Sequence, residues 1–98
     1  ENAARLGEFL LAELRALKRR FPFLGDVRGR GLMIGLDFGD PDHPQPDLRD
    51  KAVRLAFEKG LLLLPAGPSA LRIAPPLVLT QEEAALGLEI LEEVFRAL

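Results

Sequence analysis

Residues 27 to 38 read VRGRGLMIGLDF, and the fold turns on whether these glycines belong to a loop, a helix or a strand. Gly29, Gly31 and Gly35 fall as G-x-G-x-x-x-G, close to a dinucleotide-binding fingerprint. That fingerprint needs a strand before it and a helix after it. Here the glycines lead into, and lie within, the apolar run Leu32 to Phe38. The segment is therefore predicted to be a strand entered through a glycine-rich bend, its inner glycine marking a close backbone approach or a bulge.

Working outward from it, Leu6, Phe9, Leu10, Leu14 and Leu17 recur at helical steps, with Glu8, Glu13, Arg15, Lys18 and Arg19 on the opposite face. Pro22 and Gly25 mark the exit of that helix. After the strand comes the polar, proline-rich stretch GDPDHPQPD, residues 39–47. Asp47 is expected to cap a second helix running to about Lys59, with Leu48, Ala52, Leu55 and Ala56 inward and Gly60 just past its end. The leucine run 61–64 is predicted as a buried strand, and LRIA at 71–74 as its hairpin partner across a wide loop. Pro75 and Pro76 have no N–H to donate and should end the pairing. Thr80 and Glu83 form a capping-box pattern opening a last helix that buries Ala84, Leu88, Leu91, Phe95 and Leu98. Its glutamates 82, 83, 89, 92 and 93 read as a wet face rather than as paired catalytic acids.

The expected order is thus α-β-α-β-β-α: an α+β fold with a small, mainly antiparallel, three-stranded sheet covered by helices. With 98 residues, 48% of them apolar, the chain suits one small domain, residues 1–98. Glu1 and the immediate helical pattern suggest a piece of a longer protein. A net charge of −2 with mixed signs argues against nucleic acid as a partner. The longest apolar run is too short to cross a membrane, no signal peptide is recognisable and cysteine is absent, so the expected location is cytoplasmic.

Candidate chemistry is sparse. Cysteine and tyrosine are missing, and the only serine, Ser69, lacks the context of a nucleophile elbow. Lys18, Lys51 and Lys59 sit on helical faces or at a helix end, where a Schiff-base lysine would not be desolvated. Asp40, Asp42, His43 and Asp47 invite a metal reading, but a proline-broken loop without regular spacing reads better as turn-setting acids, so no metal is expected. Arg72 is the residue whose setting is hard to explain. Alternation places Leu71 and Ile73 on one face and Arg72 and Ala74 on the other. Either Arg72 points to water, or it lines a cleft where its planar fork of donors would suit a carboxylate.

Taken in order, DVRGRGLMIGLDF, KGLLLLPAG and LRIAPPLVLTQEE resemble the C-terminal part of class-III pyridoxal-phosphate aminotransferases. The LLLLPAG form is most similar to the 4-aminobutyrate branch, beside the acetylornithine and ornithine enzymes. The resemblance implies the small domain of a fold-type I enzyme, closing over an active site built mainly by a large domain. It implies that Arg72, the arginine of the R-x-x-P-P-L pattern, binds the carboxylate of an amino-acid substrate while a 2-oxo acid accepts the amino group. It also implies pyridoxal 5'-phosphate held by the large domain, no catalytic or cofactor-binding residue in this chain, and a homodimer. Arg28 and Arg30 would be interface or turn residues, and Gly29, Gly31 and Gly35 would shape the strand entry. Two other readings stand beside it: a non-catalytic α/β regulatory or interaction module, and a decarboxylase, racemase or aminomutase on the same fold.

Overall fold

The computed structural model describes residues 2–30, 33–40, 42–73 and 80–98. Helix α1 (Asn2–Arg20) leads into strands β1 (Leu24–Arg30) and β2 (Met33–Asp40), then the two-residue β3 (His43–Pro44). Helix α2 (Pro46–Glu58), strands β4 (Leu64–Ala66) and β5 (Ala70–Ile73), and helix α3 (Gln81–Ala97) complete the order. The main sheet runs β1-β2-β5-β4 with every neighbouring pair antiparallel, and β3 pairs with the end of β2. The class is α+β, as expected from the sequence.

The predicted count of three strands is corrected: among the described residues four make the main sheet and β3 is a fifth. Two strands were missed, the short β3 and, in the main sheet, β1. Its residues alternate, Val27 inward against exposed Asp26 and Arg28, and it lies on a sheet edge, where charges and glycine are tolerated. What looked like a bend into one strand is thus the first arm of a β1–β2 hairpin. Gly31 and Leu32, and likewise Ala74, Pro75 and Pro76, fall outside the described residues. The leucine run is also corrected. Strand β4 begins only at Leu64; Leu63 is buried, whereas Leu62 and Leu64 are exposed. The β4–β5 hairpin turns through residues 67–69, a tighter connection than predicted.

Helix α2 is capped differently from the prediction. Gln45 is the N-cap and makes no side-chain cap bond, so Asp47 lies inside the first turn. Gly60 follows the C-cap Lys59 with φ +91°, the role assigned to it. Gly39 has φ +76°, and a Cβ there would run into the His43 carbonyl, so the β2–β3 corner requires glycine.

Alternation divides the sheet into two unlike faces. Val27, Leu36 and Leu71 form one cross-strand row on the inner face, and with Ile34, Phe38 and Leu63 they are almost fully buried. The helices close this face with Leu6, Leu10, Leu14 and Leu17 of α1 and Ala84, Leu91, Val94 and Phe95 of α3. From α2 come Ala52 and Ala56. Phe21, Phe23, Phe38 and Phe95 join at the centre, with ring centroids 5.4–6.0 Å apart. The outer face carries Asp26, Arg28, Gly35, Asp37 and Arg72, and no described element packs over it.

Helix α3 opens on the predicted capping box. Thr80 Oγ1 accepts from the Glu83 N–H at 3.1 Å, and the Thr80 N–H donates to Glu83 Oε1 at 3.0 Å. That backbone bond is the main reason the Glu83 carboxyl lies below its ordinary pKa. Replacing Thr80 with alanine is expected to destabilise the fold by about 1 kcal/mol near neutral pH. A group with a depressed folded pKa stabilises above its unfolded value, about 4.3 for glutamate, and that contribution is lost as pH falls through the folded one. The gap between Glu83→Gln, whose amide does not titrate, and the parent in urea titrations should therefore narrow from about pH 6 to about pH 3. Thr80→Ala does not serve for this comparison, because the Thr80 N–H that Glu83 accepts survives in it. A gap independent of pH would disprove the reciprocal box.

Candidate functional site

The register brings the site together. Arg28 of β1 stands opposite Gly35 of β2, Gly35 opposite Arg72 of β5, and Arg72 opposite Leu64 of β4. All four belong to one cross-strand row on the outer face. Gly35 lacks a side chain there, which leaves an open depression of about 430 Å³ lined by both arginines, Met33, Gly35, Ala66 and Ala70. A Cβ at Gly35 would lie 3.6 Å from the Arg28 guanidinium, so that group already leans over the glycine.

The two arginines differ in electrostatic standing. Arg28 Nη1 donates to Asp37 Oδ2 at 2.7 Å and to Asp26 Oδ2 at 3.3 Å. The Asp37 hydrogen bond is the largest cause that raises the Arg28 pKa above its ordinary value. Asp26 and Asp37 thus occupy Arg28. Arg72 is exposed, and among the described residues its side chain has neither an ion pair nor a hydrogen bond. A guanidinium with uncommitted donors beside a vacant slot can take a planar anion in two-point contact.

The remaining candidates have local structural work. Asp40 Oδ1 accepts the N–H groups of Asp42 and His43 at 2.9 and 2.8 Å and lies 3.2 Å from His43 Nδ1. The bond with the His43 ring is the chief cause holding the Asp40 carboxyl below its ordinary pKa. This is a turn closed by an acid, and among the described residues no three His, Cys, Asp or Glu are grouped to hold a metal. Ser69 Oγ accepts the Gln45 N–H at 2.7 Å and donates to the Phe38 carbonyl, tying three segments together. Lys18, Lys51 and Lys59 are exposed on α1, on α2 and at its end, and none lines the depression. Arg28 pairs within the sheet, and the side chain of Arg30 lies outside what is described.

Sequence reasoning missed Arg49. It is only 7% exposed, and its Nη1 donates to the carbonyls of Ala70 at 2.6 Å and of Ala66 and Gly67 at 3.3 Å. Its Nε donates to Asp50 Oδ1 at 2.7 Å. The signal was available in the spacing: position 49 lies three residues before Ala52 and seven before Ala56, on the same inward stripe.

Comparison with known proteins bears on the whole chain. The family profile described as Aminotransferase class-III matches residues 1–95. An alanine/serine racemase of Pyrococcus horikoshii is 43% identical over 98% of this chain and 21% of its own length. The 4-aminobutyrate aminotransferase of Escherichia coli strain K12 is 41% identical over 97% of this chain and 24% of its own. The crystal structure of acetylornithine aminotransferase from Elizabethkingia anophelis superposes with a TM-score of 0.91 at 28% identity, covering all of this chain and 25% of that one. The chain therefore spans about a fifth to a quarter of the length of these relatives. With a profile match over almost every residue and the same antiparallel sheet and helices in a solved relative, the chain belongs to the class-III aminotransferase family.

Proposed function

We propose that residues 1–98 are the C-terminal small domain of a longer pyridoxal-phosphate-dependent aminotransferase. The reaction would move an amino group from an ω-amino acid of the 4-aminobutyrate, ornithine or acetylornithine type to a 2-oxo acid. Arg72 would hold the substrate carboxylate. The observation that supports this role is the cross-strand row, in which Arg28 is occupied by two aspartates while Arg72 lines the slot over Gly35 and has no ion pair among the described residues.

The described residues do not fit the cofactor itself. Their lysines are exposed and away from the depression, so pyridoxal phosphate would be held by the rest of the enzyme, which the proposal makes a homodimer. When bound, it supplies the electron sink for reaction at the amino-bearing carbon. This chain's part is orientation: a fixed guanidinium converts a freely tumbling amino acid into one presented in a single direction.

The identity to an alanine/serine racemase favours a second reading, in which the same domain serves a racemase. One experiment separates them. The full-length holoenzyme is incubated with 4-aminobutyrate, ornithine or N-acetylornithine in the presence of 2-oxoglutarate, and glutamate is measured. In parallel, L-alanine and L-serine are incubated without an oxo acid and the D-enantiomers are measured. Glutamate formation is the expected result. D-amino acids without amino transfer would replace the first reading by the second.

A further inference from the structure

We propose that Arg49 is a positioning residue for the Arg72 site, holding the β4–β5 hairpin so that Arg72 projects at a fixed place and angle. The inference rests on the reading of Arg72 as the carboxylate anchor.

The argument begins with the hairpin's own weakness. Strand β4 has three residues and β5 has four, and β4 lies on the sheet edge. So short a hairpin is marginal in isolation. The pairing of β5 with β2 sets the register of β5, and what the sheet leaves without support is the edge strand β4 and the turn at residues 67–69. Its turn is polar backbone: the carbonyls of Ala66, Gly67 and Ala70 converge on one nitrogen of Arg49, and the Pro68 carbonyl lies 3.5 Å from the other. Burying a guanidinium is costly unless its donors are satisfied. Here the carbonyls and Asp50 supply the acceptors.

Helix α2 thereby grips the hairpin from a core-facing position. Its N-cap residue adds a second tie, since the Gln45 N–H donates to Ser69 Oγ. The shortest contact, to the Ala70 carbonyl, falls two residues before Arg72 on the same strand. A fork that binds several carbonyls at once constrains the turn in more than one direction, which a lysine ammonium cannot reproduce. Small displacements matter at such a site, because a 1 Å error in a positioning group costs about a hundredfold in rate.

The test uses the full-length holoenzyme with Arg49→Lys, Arg49→Met, Arg72→Ala and the Arg49→Lys/Arg72→Ala double variant. Calorimetry gives the Kd for butyrate, an unreactive carboxylate, and the affinity for pyridoxal phosphate is measured separately. Arg49→Lys is expected to weaken butyrate binding about tenfold. It should leave cofactor affinity within about twofold and add nothing once Arg72 is alanine. If Arg49→Met does not fold, Arg49→Lys alone carries the comparison. Unchanged butyrate binding in Arg49→Lys overturns the inference and spares the Arg72 reading. Equal loss of butyrate and cofactor affinity, or an undiminished loss in the double variant, also overturns it, because the effect would not act through Arg72. If Arg72→Ala itself leaves butyrate binding unchanged, the Arg72 reading falls and the inference falls with it.

Discussion

Arg72→Ala in the full-length enzyme is expected to lower kcat/KM for a carboxylate-bearing amino donor about thirtyfold or more. The size of that loss carries information, because two electrostatic regimes predict different values. In this chain no described element packs over the outer sheet face, and Arg72 is exposed. An ion pair left in that condition contributes only about 0.2–1 kcal/mol. If the remainder of the enzyme closes over the face and removes water, truncating one partner of the pair should cost about 2–5 kcal/mol. At about 1.4 kcal/mol per factor of ten, the first regime gives less than about sixfold and the second gives at least about thirtyfold. Arg72→Lys keeps the charge but loses the two-point geometry, so an intermediate loss is expected. Primary amines without a carboxylate should show no change. A loss below about sixfold would mean that Arg72 remains in water during binding, and that the anchor is elsewhere.

How far the sequence disclosed this arrangement depended on which signals are periodic. Helices α1 and α3 were legible because apolar spacing repeats over several turns, and the Thr80–Glu83 box is a local pattern with a local cause. Strand β1 was hidden because an edge strand need not look apolar: LGDVRGR carries three charges and two glycines, yet Val27 and Leu24 are buried. The leucines at 61–64 misled in the opposite sense. An apolar run does not say where pairing starts, and two of the four face outward. Alternation put Arg72 on the face opposite Leu71 and left open whether it met water or a cleft, and its row with Arg28 and Gly35 was not legible at all. That row is set by strand register across three strands, which no local pattern encodes. Arg49 was missed because a charged residue on an apolar stripe is ordinarily assigned to solvent; only the turn carbonyls it meets explain its burial.

Phe95→Ala is expected to destabilise the fold by about 3–5 kcal/mol. Phe95 is 2% exposed and meets three rings: Phe23 at 5.4 Å, Phe21 at 5.6 Å and Phe38 at 6.0 Å between centroids, each with its edge turned to a face. These rings come from α3, the α1–β1 connection and β2, so a single side chain joins the last helix to the sheet. Truncation removes its buried area, leaves a cavity and deletes edge-to-face contacts of about 0.5–1.5 kcal/mol each. Phe95→Leu refills most of the space without those contacts and should cost less. Phe57→Ala is the internal control, since that ring is 70% exposed and its loss should stay within about 0.5 kcal/mol. Urea midpoints at constant m-value give the comparison. The expected loss is a large part of the 5–15 kcal/mol typical of a whole fold. Because β2 and β5 are hydrogen-bonded neighbours, loosening the aromatic centre removes the support under the strand that carries Arg72. Phe95→Ala is therefore expected to lower both stability and carboxylate affinity, whereas Arg72→Ala lowers affinity alone. A Phe95→Ala protein that unfolds at the same urea concentration as the parent would show that the helix is held to the sheet by other contacts.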